Sequence, residues 1–238
     1  MKSRRGILAI CLILGFLEPS YSAEAEASVA CDCQAGDKSI ESLREVMEQV
    51  QDQAAQSKYA HVDPNKVVPA DLLAKALRRY ESDRNNSEYL AIADMAKHSR
   101  EDRFFLIHMK SGKVESFKVS HGRGSDPDGD GWADRFSNQN ESNSTSLGFY
   151  LTAETYIGKH GKSLRLDGLN KSNSLARERA IVVHGAGYVT DNHTGRSLGC
   201  PAFSNQDAPY IINRIKNGTL LYLGRSEMAL RERAIASR

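Results

Sequence analysis

The sequence has little cysteine, no apolar run long enough to cross a bilayer and no marked excess of charge of either sign. Its 32 lysines and arginines face 30 aspartates and glutamates, and the formal net charge is +2. This balance does not favour an electrostatic binder of nucleic acid or of a membrane surface. The chain has no internal repeats, and its 40% hydrophobic residues are typical of one soluble globular domain with an N-terminal extension.

An apolar run at residues 6–17 lies close to the N-terminus. Basic residues precede it, Pro19 interrupts it and small residues follow, which is the pattern of a cleaved secretory signal over residues 1–25. A transmembrane anchor is the alternative, but crossing a bilayer takes about 20 apolar residues. A lipoprotein is less favoured, because the residues before Cys31 lack the expected leucine. We therefore expect an exported protein with no stable membrane anchor after cleavage.

The chain has four cysteines, and one of them has no obvious partner. Cys11 lies in the expected leader. Cys31 and Cys33 are one residue apart, where a strained local disulfide and two free thiols are both open, and two thiols are too few for a structural zinc site. Cys200 is left over, and an unpaired cysteine in an exported protein is a candidate reactive thiol. The alternative is a small buried hydrophobic residue.

Helical patterns precede the main domain. Residues 23–38 are predicted to form a mobile lead-in, and an amphipathic helix is predicted over residues 39–57. A second helix is predicted to open at Pro69-Ala70-Asp71. We expect both to pack on a sheet. Their apolar faces are Ile40, Leu43, Val46, Met47 and Val50 in the first helix, and Leu72, Leu73, Ala76, Leu77 and Tyr80 in the second.

From residue 88 onward the pattern changes to short β-strands. The predicted strands are 89–93, 103–109, 113–120, 147–155, 163–167, 180–184 and 219–223. Lys110-Ser111-Gly112 predicts a hairpin, and residues 206–216 are predicted to be helical. The sequence therefore predicts a mainly β fold with flanking helices, a sandwich or barrel of antiparallel type, preceded by an N-terminal helical segment.

One stretch of the sequence has the residues for nucleophilic catalysis. A β-branched run ends at His184, and a loop then leads to Gly199, Cys200 and Pro201. We expect the strand-end histidine to be rigid, exposed and suited to act as a general base for the cysteine, whose thiolate is the nucleophile. Gly199 has no Cβ, so a substrate carbonyl is able to approach the backbone closely. Backbone N–H groups at residues 198–200 are then candidates to bind the oxygen of a tetrahedral intermediate.

These segments resemble the active-site signature of the YkuD-like L,D-transpeptidases, which cross-link murein. The signature is a His-Gly pair, a loop, and Ser/Thr-His-Gly-Cys. His184-Gly185 and Ser197-Leu198-Gly199-Cys200 match it, except that Leu198 replaces the second histidine. Residues 146–150 and 164–168 are similar to a divergent branch, the murein L,D-transpeptidase catalytic domain family. The resemblance covers about residues 88–224.

The leader, the change to strands near residue 88, the charge balance and the resemblance together give domain limits, a location and partners. Residues 26–87 are expected to be a linker and helical extension, and residues 88–238 an L,D-transpeptidase-like catalytic domain. The protein is then expected in the periplasm or cell-wall space as a monomer, with peptidoglycan stem peptides as partners and no nucleic acid. No metal or organic cofactor is expected to be required.

The resemblance also implies a reaction. Cys200 attacks the carbonyl between a diamino acid and the terminal D-Ala of a stem tetrapeptide, D-Ala leaves, and the thioester passes to an amine of a second stem. His184 takes the thiol proton. The alternatives are hydrolysis alone, as an L,D-carboxypeptidase or other cysteine amidase, and a non-catalytic wall-binding module.

Other residues near the signature are candidates for binding or positioning. Arg196 and Arg165 are candidates to bind substrate carboxylates, because a guanidinium grips a carboxylate bidentately; solvated or ion-paired arginines are the alternative. Ser197 is expected to orient His184 or the loop. Tyr188 is expected to wall the groove or to pack in the core. For His160 a position in a surface loop is favoured over one in the groove.

An acidic loop forms a second candidate site. Asp126, Asp128, Asp130 and Asp134 resemble the acidic half of a calcium-binding loop, in which oxygen ligands alternate and glycines permit the turn. Position twelve of that pattern falls on Ser137, which cannot supply the bidentate carboxylate. A structural calcium ion and a simple acidic turn therefore both stay open.

Overall fold

The computed structural model describes residues 33–82 and 88–236. The predicted signal peptide, Cys11 and Cys31 lie outside the described residues. Four α-helices are described: α1 (Cys33–Lys58), α2 (Ala70–Ser82), α3 (Asp207–Ile215) and α4 (Glu227–Ala236). Within the described part of the chain, none of these helices has the length and apolar character needed to cross a bilayer.

Eight strands form one sheet. In chain order they are β1 (Tyr89–Asp94), β2 (Phe104–His108), β3 (Val114–Phe117), β4 (Gly148–Gly158), β5 (Gly161–Gly168), β6 (Val182–Gly185), β7 (Ala202–Phe203) and β8 (Leu220–Gly224). Across the sheet their order is β3-β2-β1-β8-β4-β5-β6-β7. The predicted mainly β fold, with flanking helices and a preceding helical segment, is confirmed.

The sheet mixes antiparallel and parallel pairs. The predicted hairpin joins β2 to β3, and β4 with β5 forms a second antiparallel pair. β1 runs parallel to β8, however, and β6 runs parallel to β7. The predicted antiparallel type therefore holds for five of the seven strand pairs and is wrong for these two. Both parallel pairs join strands that are not linked by a tight turn, and alternation of apolar residues carries no information on the direction of such a partner.

The strands separate two apolar clusters because successive side chains point to opposite faces of a sheet. In β1, Ala91 and Ala93 belong to the cluster that also holds the buried side of α3, whereas Leu90 and Ile92 belong to the cluster against α2. On α2, four of the five predicted inner residues are buried and Leu73 is partly buried. The predicted packing of α2 on the sheet is confirmed.

The predicted packing face of α1 is wrong. Leu43, Val46, Met47 and Val50 are all more than half exposed, and the contact with the cluster against α2 is made by Ala55 near the end of the helix. Helical periodicity identifies an apolar face, but it does not identify what covers that face.

Some element boundaries also differ from those predicted. α1 begins at Cys33, so residues 33–38 belong to a helix and not to the predicted lead-in. β7 and α4 were not predicted. β7 has two residues, too few for a pattern, and α4 buries only Ala229, so it has no apolar stripe. The domain limits at residues 25 and 87 stay predictions.

Candidate active site

A cavity of about 650 Å³ lies where β6, the turn between β4 and β5, and the loop before β7 meet. Five of the residues predicted for the site line it: Cys200, His184, Ser197, Arg196 and Tyr188. Lys159, His160 and Arg179 line it as well. The cavity therefore brings together a thiol, two imidazoles and three side chains that are cationic at neutral pH.

His184 occupies the end of β6, and its ring is held by the backbone. Nδ1 lies 2.9 Å from the carbonyl oxygen of Gly185. Because a carbonyl oxygen only accepts hydrogen bonds, Nδ1 carries the proton in the neutral ring, and Nε2 is left as the basic nitrogen. Burial lowers the pKa of His184, the Gly185 hydrogen bond opposes this, and the nearby His160 and Lys159 lower the pKa further. His184 is therefore a neutral base at neutral pH.

The expected exposure of His184 is wrong, because only 4% of the residue is accessible. The ring of His160, from the turn between β4 and β5, is stacked on the His184 ring with a centroid separation of 4.3 Å. His160 is itself exposed. His160 therefore lies in the groove and covers the His184 ring, whereas the sequence favoured a position in a surface loop.

Cys200 is half-buried, and its sulfur contacts the backbone at the start of β6. Among the described residues, the hydrogen-bond partners of Sγ are the N–H of Val182 at 3.5 Å and the carbonyl oxygen of Ala180 at 3.7 Å. His184 is not one of them, although both side chains line the same cavity. Burial raises the pKa of the Cys200 thiol, while the Val182 N–H and the charges of Arg179 and Lys159 lower it.

Ser197 organises the loop that carries the cysteine. Its hydroxyl donates to the carbonyl oxygen of Cys200 at 2.7 Å and accepts from the N–H of Gly199 at 3.0 Å. The Gly199 N–H is thus occupied within the loop. Leu198 and Cys200 line the cavity, and across the described chain their N–H groups have no hydrogen-bond partner. Ser197 acts on the loop and makes no hydrogen bond to His184.

The conformation of Gly199 suits no other residue. Its φ is +121°, and a Cβ placed there would lie 2.9 Å from the carbonyl oxygen of Ser144. A side chain would therefore both strain the backbone and clash with a neighbouring segment. The role of Gly199 visible in the structure is to let the loop turn tightly just before the cysteine.

Arg179 is a member of the site that sequence reasoning missed. Its guanidinium donates to the carbonyl oxygens of Ser137 at 2.8 Å and Ser144 at 2.7 Å, and to the Ser142 hydroxyl at 3.2 Å. It also lies 3.4 Å from the position of a Cβ built on Gly199. Burial lowers the pKa of Arg179, and the neighbouring Cys200 and Tyr150 oppose this. A fixed positive charge therefore lies beside the cysteine loop.

The other residues predicted to bind substrate lie in different places. Arg165 does not line the cavity: its Nε is 3.1 Å from a Glu154 oxygen, and its guanidinium lies 4.6 Å from the centre of the Tyr156 ring. Arg196 lines the cavity and donates to the carbonyl oxygen of Asp126. Tyr188 is half-buried between the cavity and a small apolar cluster, so both expectations for it hold in part.

The acidic loop is tied to the protein by hydrogen bonds and ion pairs. Oxygens of Asp126, Asp128 and Asp130 lie within 4.8 Å of one another. Asp126 is buried and accepts from the N–H of Gly129 at 2.8 Å and of Gly131 at 3.1 Å. The carboxylate of Asp134 instead pairs with Arg233. Calcium binding by the first three aspartates stays a prediction, and Asp134 is engaged elsewhere.

A buried polar chain supports this loop and the cysteine loop together. Arg103 is fully buried, donates to the carbonyl oxygen of Val119, and lies 2.8 Å from Nδ1 of His121. Nε2 of His121 lies 3.3 Å from an Asp126 oxygen. The carbonyl of His121 accepts from the N–H of Ser197 at 2.8 Å. No sequence pattern predicts this buried polar chain, because its residues are brought together only by the fold.

Burial and the charge of Arg103 lower the pKa of His121 to about 4. The ring is therefore neutral near pH 7, and it takes the Arg103 N–H at Nδ1 while Nε2–H donates to Asp126. All three groups have their hydrogen bonds matched in this one arrangement, which holds the backbone segment at His121 that Ser197 of the cysteine loop contacts.

Comparison with known proteins identifies relatives of this site and fold. A family model described as the L,D-transpeptidase catalytic domain matches residues 64–223, more than half of the chain. No protein with a curated description matches the sequence significantly.

Solved structures to which the chain is similar include L,D-transpeptidases from three bacteria. One from Mycobacterium tuberculosis is 16% identical over 58% of this chain and 58% of its own, with a TM-score of 0.39. One from Mycobacterium smegmatis is 14% identical over 57% and 58%, with a TM-score of 0.36. One from Xylanimonas cellulosilytica is 19% identical over 59% and 62%, with a TM-score of 0.34. The chain thus spans less than two thirds of the length of each.

Proposed function

Because the chain belongs to the L,D-transpeptidase catalytic domain family, we propose that it is an acyltransferase that acts on stem tetrapeptides of peptidoglycan. The observation that carries the proposal is the single cavity that holds the Cys200 thiol and the neutral His184 ring, with Nε2 of that ring free to accept a proton. A thiol and a base of this kind are what acyl transfer through a thioester requires.

In the acylation step the thiol proton passes from Sγ of Cys200 to Nε2 of His184. In the resting arrangement the thiol is within reach of the Ala180 carbonyl, so the side chain turns away from that carbonyl before the transfer. The thiolate attacks the carbonyl carbon between the diamino acid and the terminal D-Ala. The C–N bond then breaks, the imidazolium returns the proton to the leaving amine, and D-Ala departs from a thioester on Cys200.

The loop and its neighbours stabilise charge during this step. The N–H groups of Leu198 and Cys200 are the loop donors for the developing oxyanion. The fixed charge of Arg179 and the charge of Lys159 favour the thiolate over the thiol, against the effect of burial. The N–H groups thus act on the oxyanion of the intermediate, and the two positive charges act on the reacting sulfur.

In the deacylation step an amine of a second stem attacks the thioester, with His184 accepting its proton. The C–S bond breaks, a new amide forms, and the thiol takes a proton back. If water attacks instead, the product is a shortened stem peptide and no cross-link forms. The same residues need no metal or organic cofactor for either step. Because this substrate lies outside the cytoplasmic membrane, the proposal places the protein in the periplasm or cell-wall space after export.

Mass spectrometry after exposure to a carbapenem tests the acylation step. We expect one covalent adduct on the peptide that contains Cys200, and none in the Cys200→Ser protein. A His184→Gln protein should form the adduct more slowly, by about 100-fold or more, because the general base is lost.

Incubation with a disaccharide tetrapeptide tests the transfer step. Cross-linked dimers together with free D-Ala support the proposed transpeptidase. Shortened monomers without dimers replace it with an L,D-carboxypeptidase. A folded protein that gives neither products nor a carbapenem adduct contradicts the proposal, and a non-catalytic wall-binding module then explains the fold better.

A further inference from the structure

A second cavity, of about 380 Å³, shares the lining residue Arg196 with the active-site cavity. We call it the arginine cavity, because Arg100, Arg123 and Arg196 all line it. His98, His193 and Thr194 form further parts of its wall. Asp126 and Asp130 are the acidic residues in its lining.

The charge in the arginine cavity is not balanced. Within the ranges that the structure describes, the guanidinium groups of Arg100 and Arg123 have no hydrogen-bond or ion-pair partner. The carboxylate of Asp126 is saturated by backbone N–H groups and His121. Asp130 accepts from the N–H of Trp132 and lies 4.0 Å from Arg233, which is outside the cavity lining. The lining therefore has three guanidinium groups against two carboxylates, an excess of one positive charge.

One residue of the cavity lining carries an unmatched polar group. The Oγ1 atom of Thr194 is buried and has no hydrogen-bond partner among the residues that the structure describes, and 7% of the residue is exposed. A buried hydroxyl without a partner costs free energy. Because Oγ1 itself is sealed from solvent, the groups of this lining that are available to a ligand are the two unpaired guanidinium groups.

The arginine cavity and the cysteine loop share one piece of backbone. Arg196 lines both cavities. The N–H of Arg123 donates to the carbonyl oxygen of Ser197 at 2.8 Å, and residues 122 and 197 form an isolated parallel bridge. A ligand that fills the arginine cavity therefore contacts the segment that fixes the nucleophile.

We propose that the arginine cavity is a subsite for a carboxylate of the stem peptide, bound by Arg123 and Arg100 while the scissile bond lies at Cys200. The inference rests on the proposed function for the identity of the peptide. A stem tetrapeptide has carboxylates besides the acyl group that reacts, and paired guanidinium groups bind a carboxylate through charge-assisted hydrogen bonds. The subsite thus selects an acidic stem and helps to hold it in place.

Binding to the Cys200→Ser protein tests the subsite without any chemistry. The dissociation constant of the disaccharide tetrapeptide is measured by calorimetry for that protein and for versions that also carry Arg123→Gln or Arg100→Gln. We expect each added substitution to weaken binding by about 10-fold, and the loss to shrink at high salt. Arg231→Gln is the matched control, because that side chain is exposed and lies outside both cavities.

Amidated peptides identify the group that is bound. With a tetrapeptide amidated at its second residue, and with one amidated at its C-terminus, one of the two should bind weakly and become insensitive to Arg123→Gln. That result assigns the carboxylate. If Arg123→Gln and Arg100→Gln behave like Arg231→Gln, or weaken the acid and both amides equally, the subsite is refuted.

The outcome is separable from that of the proposed function. Arginine-dependent binding of the acidic peptide, together with an active-site cysteine that forms no product, refutes the acyltransferase and leaves the subsite in place. Product formation with unchanged binding in the arginine variants refutes the subsite alone. A thermal melt of each variant confirms that it is folded.

Discussion

The imidazole rings of His160 and His184 are stacked, with their centroids 4.3 Å apart and their planes inclined by 25°. His184 is the base at the end of β6, and His160 belongs to the turn between β4 and β5. The stack covers one face of the base, and the charge of His160 lowers the pKa of His184. Both effects disfavour the protonated form of His184, so this hairpin turn adds to the general burial that lowers the pKa of the base.

Replacing His160 with alanine should raise the pKa of His184. The main cause of its lowered pKa is burial, and the charge of His160 adds to it; the substitution relieves both. A base with a higher pKa is protonated at higher pH, so the acidic limb of the rate of carbapenem acylation against pH should move to higher pH. The NMR titration of the His184 ring measures the same shift directly.

His160→Phe is the control for this prediction. A phenyl ring keeps the stack and the burial but has no charge, so the acidic limb should move less than in His160→Ala. If both variants keep the pH profile of the unchanged protein, the stack does not influence the base.

Replacing Arg179 with glutamine should slow the alkylation of Cys200. Arg179 is a positive charge beside the sulfur, and it lowers the thiol pKa against the effect of burial. Without that charge the thiolate fraction near pH 7 falls, and the rate of reaction with iodoacetamide should drop roughly 3- to 10-fold. The rate measured against pH gives the thiol pKa, which should be higher in the variant.

Two variants separate charge from structure at this position. Arg179→Lys keeps the charge but cannot reproduce the hydrogen bonds to Ser137, Ser142 and Ser144, so it should lose stability while its thiol pKa changes less. Arg177→Gln removes an exposed arginine from the same segment and should leave alkylation unchanged. A thiol pKa that is equal in Arg179→Gln and Arg177→Gln would contradict the assignment.

Sequence reasoning predicted the elements that have a local signal. The run that ends at His184 and the loop to Cys200 could be read directly, because β-branched residues, glycine and a nucleophile stand at short spacing. α2 and the β2–β3 hairpin could be predicted for the same reason. The structure then brings His184 and Cys200 to one cavity, where the sulfur is hydrogen-bonded to backbone atoms of residues 180 and 182.

The rest depends on contacts between distant parts of the chain. The Arg179 side chain is hydrogen-bonded to residues about forty positions earlier in the sequence. His121 forms hydrogen bonds to both Arg103 and Asp126 only after folding. A lone arginine or histidine in a sequence has no pattern that distinguishes a surface position from such a role. The calcium-like spacing of the acidic loop likewise does not reveal that Asp134 pairs with the distant Arg233.

Replacing Gly199 with alanine should impair catalysis while the fold is kept. The backbone at this position has a positive φ, and the added Cβ would lie 2.9 Å from the Ser144 carbonyl oxygen. Strain of this kind costs about 1–3 kcal/mol, and the loop can relieve it only by moving Cys200. We expect carbapenem acylation to slow by at least about 10-fold.

Gly187→Ala is the matched control, because a Cβ there meets only an Asn205 side-chain atom at 3.8 Å. Its acylation rate should stay within about twofold of the unchanged protein. If Gly199→Ala is equally active, the loop adapts without cost and the tight turn is not needed to place the sulfur.

The free energy of unfolding should decrease as the pH is lowered through the window set by His121. The pKa of His121 is lowered from its ordinary value of 6.5 to about 4, so between these pH values the unfolded chain binds a proton that the folded protein does not. The stabilisation is complete above about pH 6.5 and is lost progressively as the pH falls toward 4, by up to about 1.4 kcal/mol per pH unit. Arg103 stays charged throughout, because its own pKa is lowered only to about 10.

His121→Gln should lower stability near pH 7 and reduce this pH dependence to the part that His184 contributes, because the pKa of His184 is also lowered by burial. Glutamine cannot bridge Arg103 and Asp126 as the ring does, which leaves buried polar groups unmatched and costs about 2 kcal/mol or more. Urea unfolding at pH 7 and pH 5 measures both effects, and His193→Gln, on an exposed loop, serves as the control with the unchanged slope. The pKa of Asp126 is itself lowered below its ordinary value, so that carboxylate titrates under the window and cannot account for the loss. If the unfolding free energy of the unchanged protein is the same at pH 7 and pH 5, His121 is not held neutral by its burial.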